Sequence, residues 1–236
     1  MKVAAIVPAH NEADRIGPVL TAIASASLVD EIVVVNDGST DNTSAVAAAN
    51  SSVRVVDLPK NLGKGGAMHA GARSTDADVV LFLDADLVGL TGEKVDAIIR
   101  PVVEGQTSVC IGIFSGGRRL TDLAQVIAPF ISGQRALHRS IFLAIPDIEY
   151  VRSGIEVAMT RHFRANGIKM ATVTLEGCTH VMKEEKLGYM RGIASRLRMY
   201  YDICKITIFG HTIDRRGNQV VRRFRRLVRR KDPQQG

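Results

Sequence analysis

The chain has 236 residues, 46% of them hydrophobic, with three cysteines and a net charge of +7. That length supports one sizeable core, and the hydrophobic content excludes a disordered chain. No apolar stretch approaches the roughly 20 residues that a bilayer-spanning helix needs, and the widely spaced, odd-numbered Cys110, Cys178 and Cys204 argue against a disulfide framework or a cysteine metal site.

The cysteines are therefore expected as free thiols in a reducing cytoplasm. The N-terminal apolar run is too short for a signal peptide and reads as a first strand. The charge is unevenly placed. Residues 211–236 hold nine basic and two acidic side chains, so the whole excess lies there and residues 1–210 are neutral.

A strand is predicted over residues 3–8, stopped by Pro8, which has no N–H for a sheet ladder. A helix follows with Ile16, Leu20 and Ile23 on one face. Residues 31–36 form a second buried strand, which runs into Asp37-Gly38-Ser39-Thr40-Asp41, a turn and helix N-cap cluster. A helix through Ala45–Ala49 leads to a third strand, Val53–Asp57. Asn61-Leu62-Gly63-Lys64-Gly65-Gly66 then opens a helix that continues to Arg73. Residues 78–83 make a fourth strand, closed by Asp84-Ala85-Asp86.

Strands alternating with helices through short loops imply a parallel sheet covered on both faces. In such sheets ligands bind beyond the carboxyl ends of the strands. All four strands deliver polar residues there: Asn11 and Glu12, Asp37, Asn61 and Lys64, Asp84 and Asp86. The set suits a nucleotide sugar. Asp37 can accept from a base N–H. Lys64 among glycines offers a point charge and bare backbone for phosphate. Asp84 and Asp86, spaced i, i+2, suit a divalent cation bridging a diphosphate. The Walker spacing and a G-x-G-x-x-G after the first strand are both absent.

The motifs V-P-A-H-N-E, V-N-D-G-S-T-D-N-T, N-L-G-K-G-G-A and D-A-D, in this order, resemble family 2 glycosyltransferases of GT-A fold. The resemblance implies an α/β fold with a mostly parallel sheet flanked by helices and further C-terminal helices. It divides the chain into a nucleotide-sugar half (1–90), an acceptor half (91–210) and a basic tail (211–236). It implies that Pro8, Ala9, Asn11, Glu12, Asp37, Lys64, Asp84 and Ala85 line the nucleotide-sugar pocket. It further implies that Asp86, with Asp84, holds Mn²⁺ or Mg²⁺.

In the second half a helix over Glu93–Val103 and a strand over Ser108–Phe114 are predicted, then a mostly helical stretch over 121–145 broken at Pro129 and Ser132-Gly133. Ser132-Gly133-Gln134-Arg135-Ala136-Leu137-His138-Arg139 resembles an acceptor-bordering segment of many family 2 enzymes, which makes Gly133, Gln134 and Arg135 acceptor-site candidates. Arg135 would clamp an anion bidentately; the alternative is an ordinary helix with surface arginines. Ile145-Pro146-Asp147 and Gly154-Ile155-Glu156-Val157-Ala158 are similar to glucosyl-3-phosphoglycerate synthases and polyprenyl-phosphate sugar transferases, and place Glu156 beside the acceptor. For a hydroxyl acceptor Glu156 is the candidate base. For a phosphate acceptor it would orient a sugar hydroxyl, and a purely dipole-complementing glutamate is the third reading. A helix stop at Asn166-Gly167 and a strand over Ile168–Leu175 follow. His180 is the candidate third metal ligand by the same resemblance, the alternative being a solvated or capping histidine.

Leu187, Met190, Ala194, Leu197, Tyr201, Cys204 and Ile208 repeat at heptad spacing, which reads as one long helix that packs on the body or pairs in a homodimer. In the tail, Val220, Val221, Phe224, Leu227 and Val228 share a helical face, and six arginines between Arg222 and Arg230 take the others. That pattern fits an in-plane helix on anionic lipid at the inner face of the plasma membrane, or a solvated tail. No aromatic-rich module accompanies the charge, so no nucleic-acid partner is expected.

The expected activity is transfer of a sugar from a UDP- or GDP-linked donor to a phosphate-bearing acceptor, either polyprenyl phosphate or a small metabolite such as phosphoglycerate. Two alternatives are a sugar-1-phosphate nucleotidyltransferase and a non-catalytic nucleotide-sugar-binding module at the membrane.

Overall fold

The computed structural model describes residues 1–115, 132–152 and 154–180. Within them a seven-stranded sheet has β1, the first strand of the chain, between β2 and β4. The strands are β1 (Val3–Ala9), β2 (Glu31–Asn36), β3 (Val53–Asp57), β4 (Val79–Phe82), β6 (Val109–Ser115), β7 (Arg135–His138) and β8 (Met170–Glu176). Their order is β3-β2-β1-β4-β7-β6-β8. The pairs among β1 to β4 are parallel, as is β6 with β8, whereas β7 runs antiparallel to both β4 and β6. The sheet is therefore mostly parallel with helices on both faces, the GT-A arrangement expected from the motifs.

Side chains alternate across the strands and build two cores. Ala5 and Val7, Ile32 and Val34, and Val79 and Leu81 face α1 (Ile16–Ala24) and α4 (Gly92–Val103). Ile6, Val33 and Val35, and Val80 and Phe82 face α3 (Lys64–Arg73), α5 (Arg139–Leu143) and α6 (Ile155–Ala165). Phe82 meets Phe142 of α5 with ring centroids 4.6 Å apart. The remaining helix, α2 (Thr43–Ala48), sends Ala47 into the first core.

Two sequence expectations need correction. Pro8 does not end β1; it pairs with Val35 and the strand continues to Ala9. Ile6 is the last β1 residue in register with β4, and its carbonyl bonds to Leu83 on that side. Pro8 shares that parity, so its missing N–H falls where β4 has already ended and no ladder bond is lost. Nor is 132–145 mostly helical: residues 135–138 are a strand inside the sheet, and only Arg139–Leu143 is α-helix there. The apolar spacing through Leu137, Ile141, Phe142 and Ile145 imitates a helical stripe, and four residues are too few to display a strand period. The helix expected over 121–131, the heptad seam of 187–208 and the basic tail lie outside the described residues.

Two further strands are only two residues long each. β5 (Leu87–Val88) and β9 (Thr179–His180) pair antiparallel, with Leu87 opposite His180. Among the described residues Cys110 and Cys178 are free and buried.

Candidate active site

Six of the seven main strands point the same way, and their carboxyl ends define one edge. β1 delivers Pro8 and Ala9, and the chain then turns through Asn11, whose φ of 57° is left-handed. Asparagine tolerates that conformation because its side chain bonds locally: Oδ1 accepts from the Thr40 N–H at 2.8 Å. Glu12 N–H donates to Thr43 Oγ1 at 2.9 Å, and the Glu12 carboxylate is paired with Arg15. Arg15 also feels the charge of Asp86, and its guanidinium is raised above its ordinary range, first by the bond to Glu12.

Asp37 stands one residue past β2 and is 4% exposed. Its carboxylate accepts from the N–H groups of Leu62 at 2.6 Å and Gly63 at 2.9 Å. The expected base contact would therefore add a donor to a carboxylate already organising the loop before α3. The other end of that loop is tied down as well. Arg152 donates to Asn61 Oδ1 at 2.6 Å and to its carbonyl at 3.2 Å, and Gly65 N–H donates to Val151 O at 3.0 Å.

Lys64 opens α3 at the centre of the edge. Its ammonium lies 2.6 Å from Asp84 Oδ1 and 2.6 Å from Glu156 Oε1, joining residues 20 and 92 positions away. Burial works to lower its pKa, but the two carboxylates outweigh burial and hold Lys64 protonated above its ordinary value. Asp84 Oδ2 accepts in turn from Gln134 Nε2 at 2.8 Å. Gly133 permits this approach: a Cβ there would sit 2.5 Å from Asp84 Oδ2 and 2.7 Å from Lys64 Nζ.

The antiparallel strand explains why Gln134 and Arg135 are here. β7 enters the sheet at the edge where its neighbours leave, with Arg135 opposite Phe82. Gln134 and Arg135 are both 0% exposed. Arg135 donates to Ser132 O at 2.5 Å and approaches Glu156 O at 3.5 Å. Burial pushes its guanidinium down to about 10, against the pull of Glu156 and Asp84. A guanidinium in that position lies beneath the site; it is not a surface arginine on a helix.

Ala85 is buried between the two aspartates, and Asp86 is half-buried at the mouth of the turn. The β5–β9 pairing then sets His180 opposite Leu87, the residue after Asp86. A chain separation of more than ninety residues is closed by a two-residue ladder. In residue type, a carboxylate from Asp86 with an imidazole from residue 180 is a donor set that a borderline divalent cation accepts. Among the described residues no cluster of three His, Cys, Asp or Glu side chains is preassembled for a metal. Asp84 meets Lys64 and Gln134 here, and Asp86 lies two residues further along the same turn.

Arg15, Ser132 and Arg152 were not singled out from the sequence. Arg15 had a local signal, standing three residues after Glu12. Arg152 acts across a contact between distant segments, which spacing does not encode, and Ser132, quoted only as the first residue of the Ser132–Arg139 segment, reaches Gly112 as well as its neighbours Gln134 and Arg135.

The model of the glycosyl transferase family 2 domain matches residues 4–162. The chain belongs to that family. Among family 2 relatives, a dolichyl-phosphate beta-glucosyltransferase of Trichomonas vaginalis is 38% identical over 34% of this chain and 28% of its own. The glucosyl-3-phosphoglycerate synthase of Mycobacterium tuberculosis is 30% identical over 61% of this chain and 56% of its own. The chain thus spans little more than half of one curated relative and less of the other. A crystal structure of that synthase, in complex with Mn²⁺, uridine-diphosphate-glucose and phosphoglyceric acid, matches with a TM-score of 0.63 at 27% identity, covering 84% of this chain and 79% of that one. Another, with Mg²⁺ and uridine-diphosphate, also matches at 0.63.

Proposed function

We propose that this chain is a metal-dependent glycosyltransferase that moves a sugar from a nucleoside-diphosphate sugar, UDP- or GDP-linked, to a phosphate-bearing acceptor. The observation that carries this reading is the meeting of Lys64, Asp84 and Glu156 within 2.6 Å contacts at the strand edge, beside the turn where Leu87, the residue after Asp86, pairs with His180. Mn²⁺ or Mg²⁺ held by Asp86 and His180 would neutralise charge on the departing diphosphate.

The chain's own residues supply the rest. Pro8, Ala9, Asn11, Glu12 and Asp37 form the wall for the nucleoside, and Asp37 keeps the Asn61–Gly63 loop shaped against it. Lys64 carries the point charge for phosphate, and holding its ammonium between two carboxylates keeps it charged until the donor arrives. Glu156, at the start of α6, faces the acceptor side. There it takes the proton of a hydroxyl acceptor or orients a sugar hydroxyl toward an anionic one. Gly133 gives the room in which these side chains meet, and Gln134 and Arg135 brace them from below.

The phosphate acceptor has two sources, a small phosphorylated metabolite or a polyprenyl phosphate at an anionic membrane, where the basic tail would hold the enzyme. A thermal-shift screen of UDP-, GDP- and TDP-sugars with and without Mn²⁺ tests the donor reading, because a ligand that binds the native state stabilises it by RT ln(1 + [L]/Kd). A metal-dependent shift is expected for one nucleotide class. The absence of any shift would overturn the reading. Radiolabelled transfer to phosphoglycerate or to a polyprenyl phosphate then separates the two acceptors.

A further inference from the structure

Gln134 is a polar side chain at 0% exposure in a position where methionine would fill the same volume. A buried amide that serves packing alone would leave its dipole unanswered. Here both ends are answered. Nε2 donates to Asp84 Oδ2 at 2.8 Å, and Oε1 faces the Ser132 hydroxyl at 2.8 Å. Ser132 is itself fixed: its single hydroxyl proton is shared between Gln134 Oε1 and Gly112 O, 2.5 Å away, and its Oγ accepts from the Gln134 backbone N–H at 3.4 Å. The amide has one chemically allowed orientation. Flipped, it would set Oε1 against a carboxylate oxygen, two acceptors with no proton between them.

The consequence falls on Asp84. A carboxylate on a turn is free to rotate about its side chain, but this one is gripped at Oδ2 by Gln134 while Oδ1 meets Lys64 Nζ at 2.6 Å. We propose that Gln134 is a positioning residue: with Ser132 it holds Asp84 on Lys64, so that Asp84 steers the phosphate-binding ammonium. This assigns Gln134 away from the acceptor contact expected from sequence. For its effect on the donor the inference rests on the reading above; for its effect on Lys64 it does not.

The test reads Lys64 directly. Full-length protein is treated with a limiting amine-acylating reagent, and the rate at each lysine is measured by mass spectrometry. The exposed Lys60 and Lys169 serve as internal standards. In wild type, Lys64 is expected to react far more slowly than either standard. Gln134→Met should speed Lys64 several-fold with the standards unchanged. Ser132→Ala should move it the same way by less, and the double variant should match Gln134→Met, because Ser132 acts through Gln134. If Gln134→Met does not fold, Ser132→Ala still decides the matter. An unchanged Lys64 rate in the folded variants overturns the proposal. A uniform rise at all lysines with loss of cooperative melting also overturns it, since that marks Gln134 as a core residue only. In parallel, the affinity for UDP with Mn²⁺ should fall several-fold in Gln134→Met. If wild type binds no nucleotide, the donor reading fails while the Lys64 result still stands or falls alone.

Discussion

Lys64 answers two carboxylates with one ammonium, and the account is unbalanced when it is removed. Lys64→Met would leave Asp84 and Glu156 facing each other at the edge without a counter-charge. Breaking a buried pair costs about 3–5 kcal/mol; the Lys64 side chain is 28% exposed, so about 2 kcal/mol is the expected loss in urea unfolding at neutral pH. The sign with pH follows from the raised Lys64 pKa. Its stabilisation is complete below the unfolded value of about 10.4 and is lost as pH rises through the still higher folded value. The gap between wild type and Lys64→Met should therefore stay constant from about pH 7 to 9 and close only in strong alkali. Asp86→Asn separates cation binding from folding. It should abolish the Mn²⁺-dependent thermal shift by nucleotide while the ligand-free melting temperature stays within a few degrees of wild type. At this scale the sequence exposed the residues placed where strands end, because position at an edge is a consequence of element order. It did not expose their partners: Asp84 and Asp86 look alike in D-A-D, and the contacts of Asp84 with Lys64 and Gln134 come from segments distant in the chain.

Between elements, a tight constraint lies where α3 meets the Ile148–Tyr150 turn. A Cβ on Gly65 would sit 2.5 Å from Ile148 O and closer still to Val151 O. Neither backbone oxygen can yield as a flexible side chain would, so Gly65→Ala is expected to cost about 1–3 kcal/mol by chemical denaturation and to displace Lys64. A different joint ties α4 to the loop after α1. Asp96 accepts from Ser27 N–H at 3.0 Å, Ser27 Oγ at 2.6 Å and Leu28 N–H at 2.9 Å. Burial works to raise its pKa, but these donors hold it below the ordinary carboxylate range. A depressed carboxylate stabilises above its unfolded pKa and loses that contribution as pH falls through the folded one. Asp96→Ala should then cost about 2–3 kcal/mol at neutral pH, and equilibrium unfolding should show the difference fading below about pH 4. Long periodic elements such as α4 were legible because their patterns repeat, and β2 and β4 because of their apolar runs Ile32–Val35 and Val79–Phe82. β7, β5 and β9 were not. Each is too short to show a period, and each exists because a partner strand offers its edge. The pairing of Leu87 with His180 is a tertiary fact, although a family resemblance had already named the histidine.

For the whole molecule, the order β3-β2-β1-β4-β7-β6-β8 joins two groups of like-directed strands through one reversed strand. That reversal brings the Ser132–Arg135 segment to the carboxyl edge and so completes a site whose other half comes from the first 86 residues. The neutral body and the basic C-terminal segment divide the remaining labour. Nine basic against two acidic residues in 211–236 leave the rest of the chain balanced, so the excess positive charge is concentrated at one end. Each Lys or Arg near an anionic bilayer contributes about 1 kcal/mol, screened over a Debye length of about 8 Å at physiological salt. Replacing Arg222, Arg223, Arg225, Arg226, Arg229 and Arg230 with glutamine keeps Phe224, Leu227 and Val228 for insertion and removes only charge. Flotation with vesicles containing phosphatidylserine should then show binding reduced by orders of magnitude, with the residual binding insensitive to salt. Neutral phosphatidylcholine vesicles should retain wild type and variant equally poorly. The Mn²⁺-dependent nucleotide shift should be the same in both proteins, since the strand-edge site lies within residues 1–180. Equal retention of wild type and variant on the anionic vesicles would assign the tail's arginines to solvent and return the acceptor to the aqueous phase.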